Sequence, residues 1–450
     1  MSDLIQAALA DADDTKRVVL GANAIDRVAE VFTDLFPGRA AVIIADERTM
    51  SVAGEAVARV LANSGIDCRE PHVFRGEPEL YAQYENIAAL RDRLAEVDAV
   101  PIAVGAGTLN DIVKRATFEL QRGYIIVGTA ASMDGYTAFG ASIAVDGFKQ
   151  TLACPAPQAC IADLDVMAAA PRVMTASGYG DLLGKVTSGA DWILADALEV
   201  EQIDPAVWEK VQGTLRTAVA QPAALAMGEP DAVGRLAEGL IMSGLAMQAH
   251  QSSRPASGAE HQFSHLWEME GHGVDQVPRL SHGFKVGLGT VAIAALYEEL
   301  LRFDMSQFDV DSAVAAWRSR DDLEEYVRTL NPNPKLVDET VEQTLAKWIS
   351  PVELRARLIK LVESWHRIAP RLREQLLPAD ELQRRLRAAG APAHPADIGL
   401  DWDRFRQTYL RAQTIRKRYT VLDVVFEAGL LDAIVEGLFS REGFWGRQES

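Results

Sequence analysis

Apolar runs and amphipathic stretches alternate along the first third of the chain. The segment AAVIIAD (residues 40–46) is continuously apolar up to its final acid, which is typical of a strand buried on both faces of a parallel sheet. VPIAVGAGTLNDIVKRATFEL fits a strand, a glycine turn and a helix, and GYIIVGTAASMDG fits a strand that runs into a loop. We expect a further short strand near residues 71–74, after a helix capped by Ser51 and ended by Gly65. This succession predicts a parallel α/β sheet.

The pattern changes near residue 165. From about Met174 onward the chain is mostly amphipathic helix, interrupted by loops at residues 331–334 (NPNP) and 388–399 (AAGAPAHPADIG). We therefore predict two domains, a dinucleotide-binding α/β domain over 1–165 and an all-helical metal- and substrate-binding domain over 166–450. A cleft between them is the expected place for a ligand.

Composition narrows the choice of partners. The 450 residues carry a formal net charge of -19, which argues against nucleic acid or an anionic membrane as a partner. The three cysteines form no CxxC pair, and no apolar run approaches the ~20 residues of a membrane helix. The first residues are acidic and lack a secretory hydrophobic region, so we expect a cytoplasmic protein. The basic segment RAQTIRKRY (411–419) is predicted to be a solvated helix face.

The α/β part carries a candidate cofactor site. Gly105 and Gly107 follow a predicted buried strand and precede a helix, where the backbone can approach a pyrophosphate. Asp46 ends an earlier strand, where a carboxylate can accept hydrogen bonds from a ribose. The alternatives are a tight strand-to-helix turn and an ordinary surface acid. In the usual arrangement the acid follows the glycines, whereas here it precedes them by about sixty residues.

A second set of polar residues lies in the helical part and in the loop before it. Asp134 sits in the small-residue loop TAASMDGYTAFGAS, where a simple Asp-Gly turn is the alternative. Asp181 and Lys185 are four residues apart, as are His261 and His265, and four-residue spacing places side chains on one helix face.

His282 follows soon after in SHGFKVGLGT. An aspartate with two or three histidines can bind Zn²⁺, Ni²⁺ or Fe²⁺. The alternatives are a surface ion pair for Asp181 and Lys185, and structural histidines.

Taken together, GAGTLNDIVK, TAASMDGYTAFGAS, GYGDLLGK, SRPASGAEHQFSH and SHGFKVGLGT resemble the sn-glycerol-1-phosphate dehydrogenase family. That family lies within the iron-containing alcohol dehydrogenase and dehydroquinate synthase-like superfamily, and the C-terminal region is similar to its bacterial branch. The resemblance implies a Rossmann-like parallel sheet followed by an all-α domain. It also implies that the acidic strand precedes the glycine loop.

The resemblance assigns a role to each candidate. Cofactor binding is implied for Asp46, Gly105, Ala106, Gly107, Asp111, Thr129, Ala130, Ala131 and Ser132. Metal binding is implied for Asp181, His261 and His282. Substrate binding falls to Asp134, Asp181 and His265, of which Asp181 and His265 are candidate catalytic residues. Because a phosphate needs a cation in an acidic protein, we also predict Lys185, one turn from Asp181, as a substrate-binding and catalytic residue at the substrate phosphate.

The implied reaction is the reversible, metal- and NAD(P)H-dependent reduction of dihydroxyacetone phosphate to sn-glycerol 1-phosphate. We expect NAD(H), possible use of NADP(H), one Zn²⁺ or Ni²⁺ (or Fe²⁺), and a homodimer. Three alternatives stay open, namely a glycerol or other polyol dehydrogenase, a dehydroquinate synthase-like cyclase and a non-catalytic phosphosugar-binding protein.

Overall fold

A six-stranded parallel sheet forms the core of the first 163 residues in the computed structural model, which describes residues 3–145, 148–331 and 333–448. The strands are β1 (Arg17–Gly21), β2 (Ala41–Asp46), β3 (His72–Phe74), β4 (Val100–Gly105), β5 (Ile125–Gly128), β6 (Ala141–Val145), β7 (Phe148–Leu152) and β8 (Ala159–Asp163). The sheet order is β1-β8-β5-β4-β2-β3, and β6 and β7 form a separate antiparallel hairpin.

Helices flank the sheet and then make up the rest of the chain. The first six are α1 (Asp3–Ala10), α2 (Val28–Leu35), α3 (Glu47–Thr49), α4 (Glu55–Asn63), α5 (Tyr84–Ala95) and α6 (Gly107–Glu119). The next eight are α7 (Leu164–Ala169), α8 (Arg172–Leu183), α9 (Lys185–Ala197), α10 (Pro205–Ala218), α11 (Pro222–Met227), α12 (Pro230–His250), α13 (Ala259–Met269) and α14 (His282–Arg302). The last eight are α15 (Val310–Ala315), α16 (Arg320–Leu330), α17 (Val337–Leu345), α18 (Pro351–Gln375), α19 (Ala379–Ala388), α20 (Trp402–Arg411), α21 (Val421–Glu427) and α22 (Leu431–Phe439).

This architecture confirms the predicted fold class, an α/β part with a Rossmann-like sheet followed by an all-helical part. The last strand ends at Asp163 and α7 begins at Leu164, close to the boundary predicted at residue 165. Division into two domains at that point stays a prediction. Within the described residues, no helix combines the length and the apolar character needed to span a lipid bilayer.

The sheet order explains why the acid can precede the glycines. Strands β2 and β4 are direct neighbours, and their register pairs Ile44 with Ala103. Two residues further on, Asp46 therefore lies beside Gly105, at the carboxyl edge of the sheet where ligands bind in open α/β folds. The chain reaches the two positions sixty residues apart because β3 and α5 intervene along the sequence.

One local prediction is wrong and one is confirmed. Asp46, not Ser51, caps the first helix after β2, because its Oδ1 accepts bonds of 2.8 Å from the backbone N–H groups of Arg48 and Thr49. Ser51 lies inside the helical stretch, in a π-helical turn over Met50–Gly54 that joins α3 to α4. The predicted end at Gly65 is confirmed, since α4 ends at Asn63 and Gly65 has a φ of +72°.

Close backbone contacts bring the central helices together. A Cβ built on Gly180 of α8 would lie 2.4 Å from the carbonyl oxygen of Gly283 in α14. Likewise, a Cβ on Gly289 of α14 would lie 2.5 Å from the carbonyl oxygen of Glu260 in α13. Such distances exclude any larger residue without backbone movement, so these glycines hold α8, α13 and α14 at the spacing that forms the site described below.

Candidate active site

Three side chains from three different helices converge on one point. Asp181 lies near the end of α8, His261 in the first turn of α13 and His282 at the first position of α14. One ligand atom from each lies within 4.8 Å of the others, and His261 Nε2 is 3.7 Å from Asp181 Oδ1. Two imidazoles and a carboxylate that leave open positions are a donor set that Zn²⁺, Ni²⁺ and Fe²⁺ accept.

The two histidines are oriented by carboxylates behind them. Nδ1 of His261 lies 2.7 Å from Glu260 Oε1, and Nδ1 of His282 lies 2.9 Å from Glu268 Oε1. A ring nitrogen engaged in this way leaves Nε2 free to bind a metal, and metal-binding histidines usually have such a partner. The orientation of the two histidines, in addition to the identity of the three side chains, therefore fits a metal centre.

Lys185 neutralises the negative charge of Asp181. Its Nζ lies 2.7 Å from Asp181 Oδ1, and both side chains are 0% exposed. Burial alone would raise the pKa of Asp181, but the Lys185 ammonium and the nearby histidines hold that pKa well below its usual range. Asp181 is therefore ionised and able to bind a metal.

Lys185 also joins the helical part to the loop after β5. Its Nζ lies 2.7 Å from Asp134 Oδ2, which also accepts a 2.9 Å bond from Ser243 Oγ. The backbone N–H of Asp134 donates to Asp181 Oδ2 over 3.1 Å. Asp134 is thus fixed directly beside Asp181, and the Asp-Gly turn expected as its alternative does not account for these contacts.

The alternative of a surface ion pair for Asp181 and Lys185 is wrong, because both side chains are buried. The helix also ends between them: α8 stops at Leu183 and α9 starts at Lys185. Lys185 lies between two carboxylates, which is a poor position for a phosphate. A phosphate there would have to displace or approach Asp134 and Asp181, both of which repel it.

His265 lies beside the three converging side chains but is not one of them. Its ring centroid is 6.0 Å from that of His261 and 5.7 Å from that of His282. Nδ1 of His265 lies 3.3 Å from Glu268 Oε2, and burial lowers the pKa of His265 to about 3. The imidazole is therefore neutral at physiological pH. Its role as a substrate neighbour stays a prediction.

The glycine turn lies against the loop after β5. Thr129 donates its backbone N–H to the Gly105 carbonyl over 3.1 Å. A Cβ on Gly107 would lie 2.8 Å from the end of the Met133 side chain. Gly107 is therefore needed for this packing as the chain now stands, and a pyrophosphate at this turn would require the flexible Met133 side chain to move. Ala106 lies between the two glycines and is the N-cap of α6.

The two acids of the predicted cofactor site have other bonds in the structure. Asp46 uses Oδ1 alone for its two capping bonds, so Oδ2 is not occupied by them. Beside it, the guanidinium of Arg48 pairs with Glu77 on the protein surface. Asp111 Oδ2 accepts a 3.2 Å bond from the backbone N–H of Ser142. Cofactor binding by both acids stays a prediction.

The segment predicted to border the nicotinamide is buried against α8. A Cβ on Gly178 would lie 2.0 Å from the Ala131 carbonyl oxygen, and Ser177 Oγ donates to the Ser132 carbonyl over 3.1 Å. Residues 129–132, which include Thr129 and Ala130, therefore lie between the sheet and the helix that carries Asp181.

Sequence reasoning missed the residues that support the site. Glu260 and Glu268 orient the histidines, and Lys114 donates to three carbonyls of the loop that carries Asp134 (Gly135 at 2.9 Å, Ala138 at 2.8 Å and Gly140 at 3.0 Å). The signal available was spacing, since Glu260 directly precedes His261 and Glu268 is three residues after His265.

Comparison with known proteins finds relatives that are named as dehydrogenases. The iron-containing alcohol dehydrogenase family matches residues 19–171. A glycerol-1-phosphate dehydrogenase (NAD(P)+) of Halalkalibacterium halodurans is 39% identical over 267 residues, which are 59% of this chain and 67% of that protein. The protein of the same name in Bacillus subtilis is 30% identical over 413 residues, 92% of this chain and 91% of that one.

A crystal structure of a probable glycerol dehydrogenase from Sinorhizobium meliloti has the same fold, with a TM-score of 0.59 at 17% identity over 94% of this chain and 98% of that one. The sequence identity and coverage of the Bacillus relative decide the family. The chain belongs to the glycerol-1-phosphate dehydrogenase family.

Proposed function

We propose that this protein catalyses the reversible NAD(P)(H)-dependent reduction of dihydroxyacetone phosphate to sn-glycerol 1-phosphate. One observation carries the proposal. A carboxylate and two oriented imidazoles, Asp181, His261 and His282, lie within 4.8 Å of one another in a chain that belongs to this dehydrogenase family. A sensor that only bound phosphosugars would have no use for a donor set with open coordination positions.

Asp181, His261 and His282 would hold one divalent metal ion, with Zn²⁺ or Ni²⁺ proposed and Fe²⁺ as the alternative. When bound, such an ion polarises a carbonyl oxygen as a Lewis acid, while a nicotinamide supplies the hydride. The chain itself keeps Asp181 ionised through Lys185 and aims both histidines through Glu260 and Glu268, which leaves the donors preorganised.

The remaining polar groups bind and orient the substrate. Asp134 is held in place by Lys185 and Ser243, with its carboxylate only 14% exposed, and it can accept a hydrogen bond from a substrate hydroxyl. His265 pairs through Nδ1 with Glu268, so Nε2 of the neutral ring can accept a hydrogen bond from a substrate hydroxyl.

The cofactor is proposed to lie along the carboxyl edge of the sheet. Asp46 would accept hydrogen bonds from the adenosine ribose through Oδ2, and Gly105–Gly107 would lie against the pyrophosphate at the start of α6. Asp111 and residues 129–132 complete the proposed cofactor contacts. We further propose a homodimer located in the cytoplasm.

The test is NADH oxidation by purified protein after metal removal and after reloading with Zn²⁺, Ni²⁺ or Fe²⁺. We expect turnover with dihydroxyacetone phosphate that depends on added metal and exceeds turnover with dihydroxyacetone. Turnover of dihydroxyacetone alone would favour a glycerol dehydrogenase, and no net NADH change with either compound would refute the proposed reaction.

A further inference from the structure

A phosphorylated substrate needs a cation, and this chain carries a net charge of -19. Lys185 was the cation predicted from the sequence, but its ammonium contacts two carboxylates and its side chain is 0% exposed. Bringing a phosphate dianion to that group would add negative charge where two negative groups already lie. These two carboxylates favour another residue as the cation that binds the phosphate.

Most other cations around the site are already paired. Lys114 donates to three loop carbonyls and is buried beneath them. Arg404 lies 2.9 Å from Glu270, and Arg411 lies 2.6 Å from the same carboxylate. Arg418 donates to the Ser257 carbonyl over 2.7 Å, and its second terminal nitrogen bonds Ser253.

Arg416 differs from these cations. Within residues 3–145, 148–331 and 333–448, its guanidinium has neither a hydrogen bond nor an ion pair, and the carboxylates of Glu339 and Glu268 stabilise its charge only from a longer distance. The segment RAQTIRKRY that contains it was expected to be a solvated helix face, and that expectation is wrong. Helix α20 ends at Arg411, a short 3₁₀ turn covers Ala412–Thr414, and most of the segment is buried or partly buried.

The backbone on both sides of Arg416 is anchored. The carbonyl of Gln413 accepts a 2.6 Å bond from Lys347, and the backbone N–H of Lys417 donates to Gln343 over 2.8 Å. A rigid backbone that carries a charged side chain without a direct hydrogen-bond partner suits a binding residue, because little ordering of the chain has to accompany ligand binding.

The segment runs along the helix that carries the site histidines. Gln262 of α13 donates to the Arg418 carbonyl over 3.3 Å, and the Arg418 side chain reaches back to the Ser257 carbonyl before that helix. The earlier residue Arg416 therefore lies towards the next turn, that of His265 and Glu268. The electrostatics agree with this position. The carboxylate of Glu268, which lies in that turn, acts on the Arg416 guanidinium and stabilises its charge.

We infer that Arg416 binds the phosphate group of the substrate at the edge of the metal-binding cluster. This inference rests on the proposed function. A guanidinium offers two parallel N–H groups to two phosphate oxygens, which is a stronger and more directional contact than an ammonium provides. Arg416 then selects phosphorylated over unphosphorylated substrates, and Lys185 keeps the carboxylates in place.

Arg279 is the rival residue. Its guanidinium lies 4.3 Å above the Tyr81 ring, and its Nη1 is buried without a hydrogen-bond partner among the described residues. It also lies three residues before His282. Stacking on Tyr81 already gives Arg279 a structural role, whereas Arg416 has no contact of that kind among the described residues.

The test compares R416M, which removes the charge, with K417M, which removes the same charge from the exposed neighbouring residue. For R416M we expect KM for dihydroxyacetone phosphate to rise at least tenfold, about 1.4 kcal/mol, with KM for dihydroxyacetone within twofold of the wild type. K417M should leave both values unchanged. An unchanged ratio of the two KM values in R416M would overturn the inference, as would a larger change in R279M than in R416M.

Binding of inorganic phosphate, measured by calorimetry, separates this inference from the proposed reaction. We expect R416M to weaken phosphate binding at least tenfold even if the wild type reduces neither ketone, a result that would refute only the reaction. Equal affinity in wild type and R416M, or no phosphate binding by the wild type, would overturn the role of Arg416. If thermal melting shows that R416M is unfolded, R416K serves instead, and we expect a two- to tenfold rise in KM for the phosphorylated ketone alone.

Discussion

Replacement of Lys185 by methionine tests how the centre of the site is held together. The substitution keeps the length of the side chain and removes its charge. It leaves Asp181, which is 0% exposed, and Asp134, which is 14% exposed, without the ammonium that contacts both at 2.7 Å. Because Asp181 cannot be hydrated where it lies, most of the cost should come from that carboxylate.

Loss of one partner from a buried ion pair costs about 3–5 kcal/mol, so we expect K185M to lower the free energy of unfolding of the metal-free protein by that amount. A bound divalent ion would compensate Asp181, so the loss should be smaller in metal-loaded protein. Turnover should fall with dihydroxyacetone phosphate and dihydroxyacetone alike, because Asp134 loses its position for both.

Urea unfolding of wild type and K185M, with and without metal, gives these values. K210M is the matched control, since the Lys210 ammonium also lies 2.7 Å from a carboxylate, that of Asp11, but Asp11 is 58% exposed. Exposed pairs contribute about 0–1 kcal/mol, so K210M should be nearly as stable as the wild type. Equal stability of K185M and K210M, together with a rise in KM for the phosphorylated ketone alone, would refute this account and restore Lys185 as the phosphate-binding residue.

The other predictions concern the metal, the cofactor and pH. His261→Ala should remove most bound metal and nearly all turnover, whereas His265→Ala should keep the metal and lose mainly rate or substrate affinity; elemental analysis showing equal metal loss would contradict this division. Asp46→Ser keeps a helix-capping side chain but removes a carboxylate that disfavours a 2′-phosphate, so it should narrow or reverse an NADH preference of at least tenfold, about 1.4 kcal/mol; a wild type that uses both cofactors equally in steady-state kinetics would refute the argument. Burial raises the pKa of Glu427 from 4.5 to about 7, so between these pH values the folded state keeps a proton that the unfolded state loses. The free energy of unfolding should therefore fall by up to ~3 kcal/mol as pH rises from 4.5 to about 7. Glu427→Gln should remove that fall. Urea unfolding at pH 5 and pH 8 gives the free energies, and the same loss of stability in both proteins would contradict this role of Glu427.

The centre of the fold could be predicted from the sequence because buried parallel strands are apolar throughout. AAVIIAD and VPIAVG correspond to β2 and β4, which are buried along nearly their whole length. The edge strand β1, the buried strand β8 and the hairpin of β6 and β7 were missed. The apolar run of β8 is only four residues long, ACIA, before its final aspartate. β1 has only five residues and carries an exposed arginine, and the hairpin includes polar residues, so neither shows a continuous apolar run.

The three converging residues could be predicted from the sequence, but the contacts that support them could not. Asp181, His261 and His282 could be singled out because the chain has only eight histidines and all three residues lie in glycine-containing motifs. The structure brings them together. The sequence could not predict which cation near the site lacks a hydrogen bond or ion pair among the described residues, because that depends on tertiary neighbours. Lys185 looked available and is paired twice, whereas Arg416 lay in a basic segment that local pattern assigned to solvent.

The product of ketone reduction tests the central proposal most directly. Metal-loaded protein is incubated with dihydroxyacetone phosphate and NADH, and the glycerol phosphate formed is separated into its two enantiomers by chiral chromatography. The proposal predicts sn-glycerol 1-phosphate as the only enantiomer, formed in equal amount to the NADH consumed. Formation of sn-glycerol 3-phosphate, or of no glycerol phosphate while dihydroxyacetone is reduced, would contradict it.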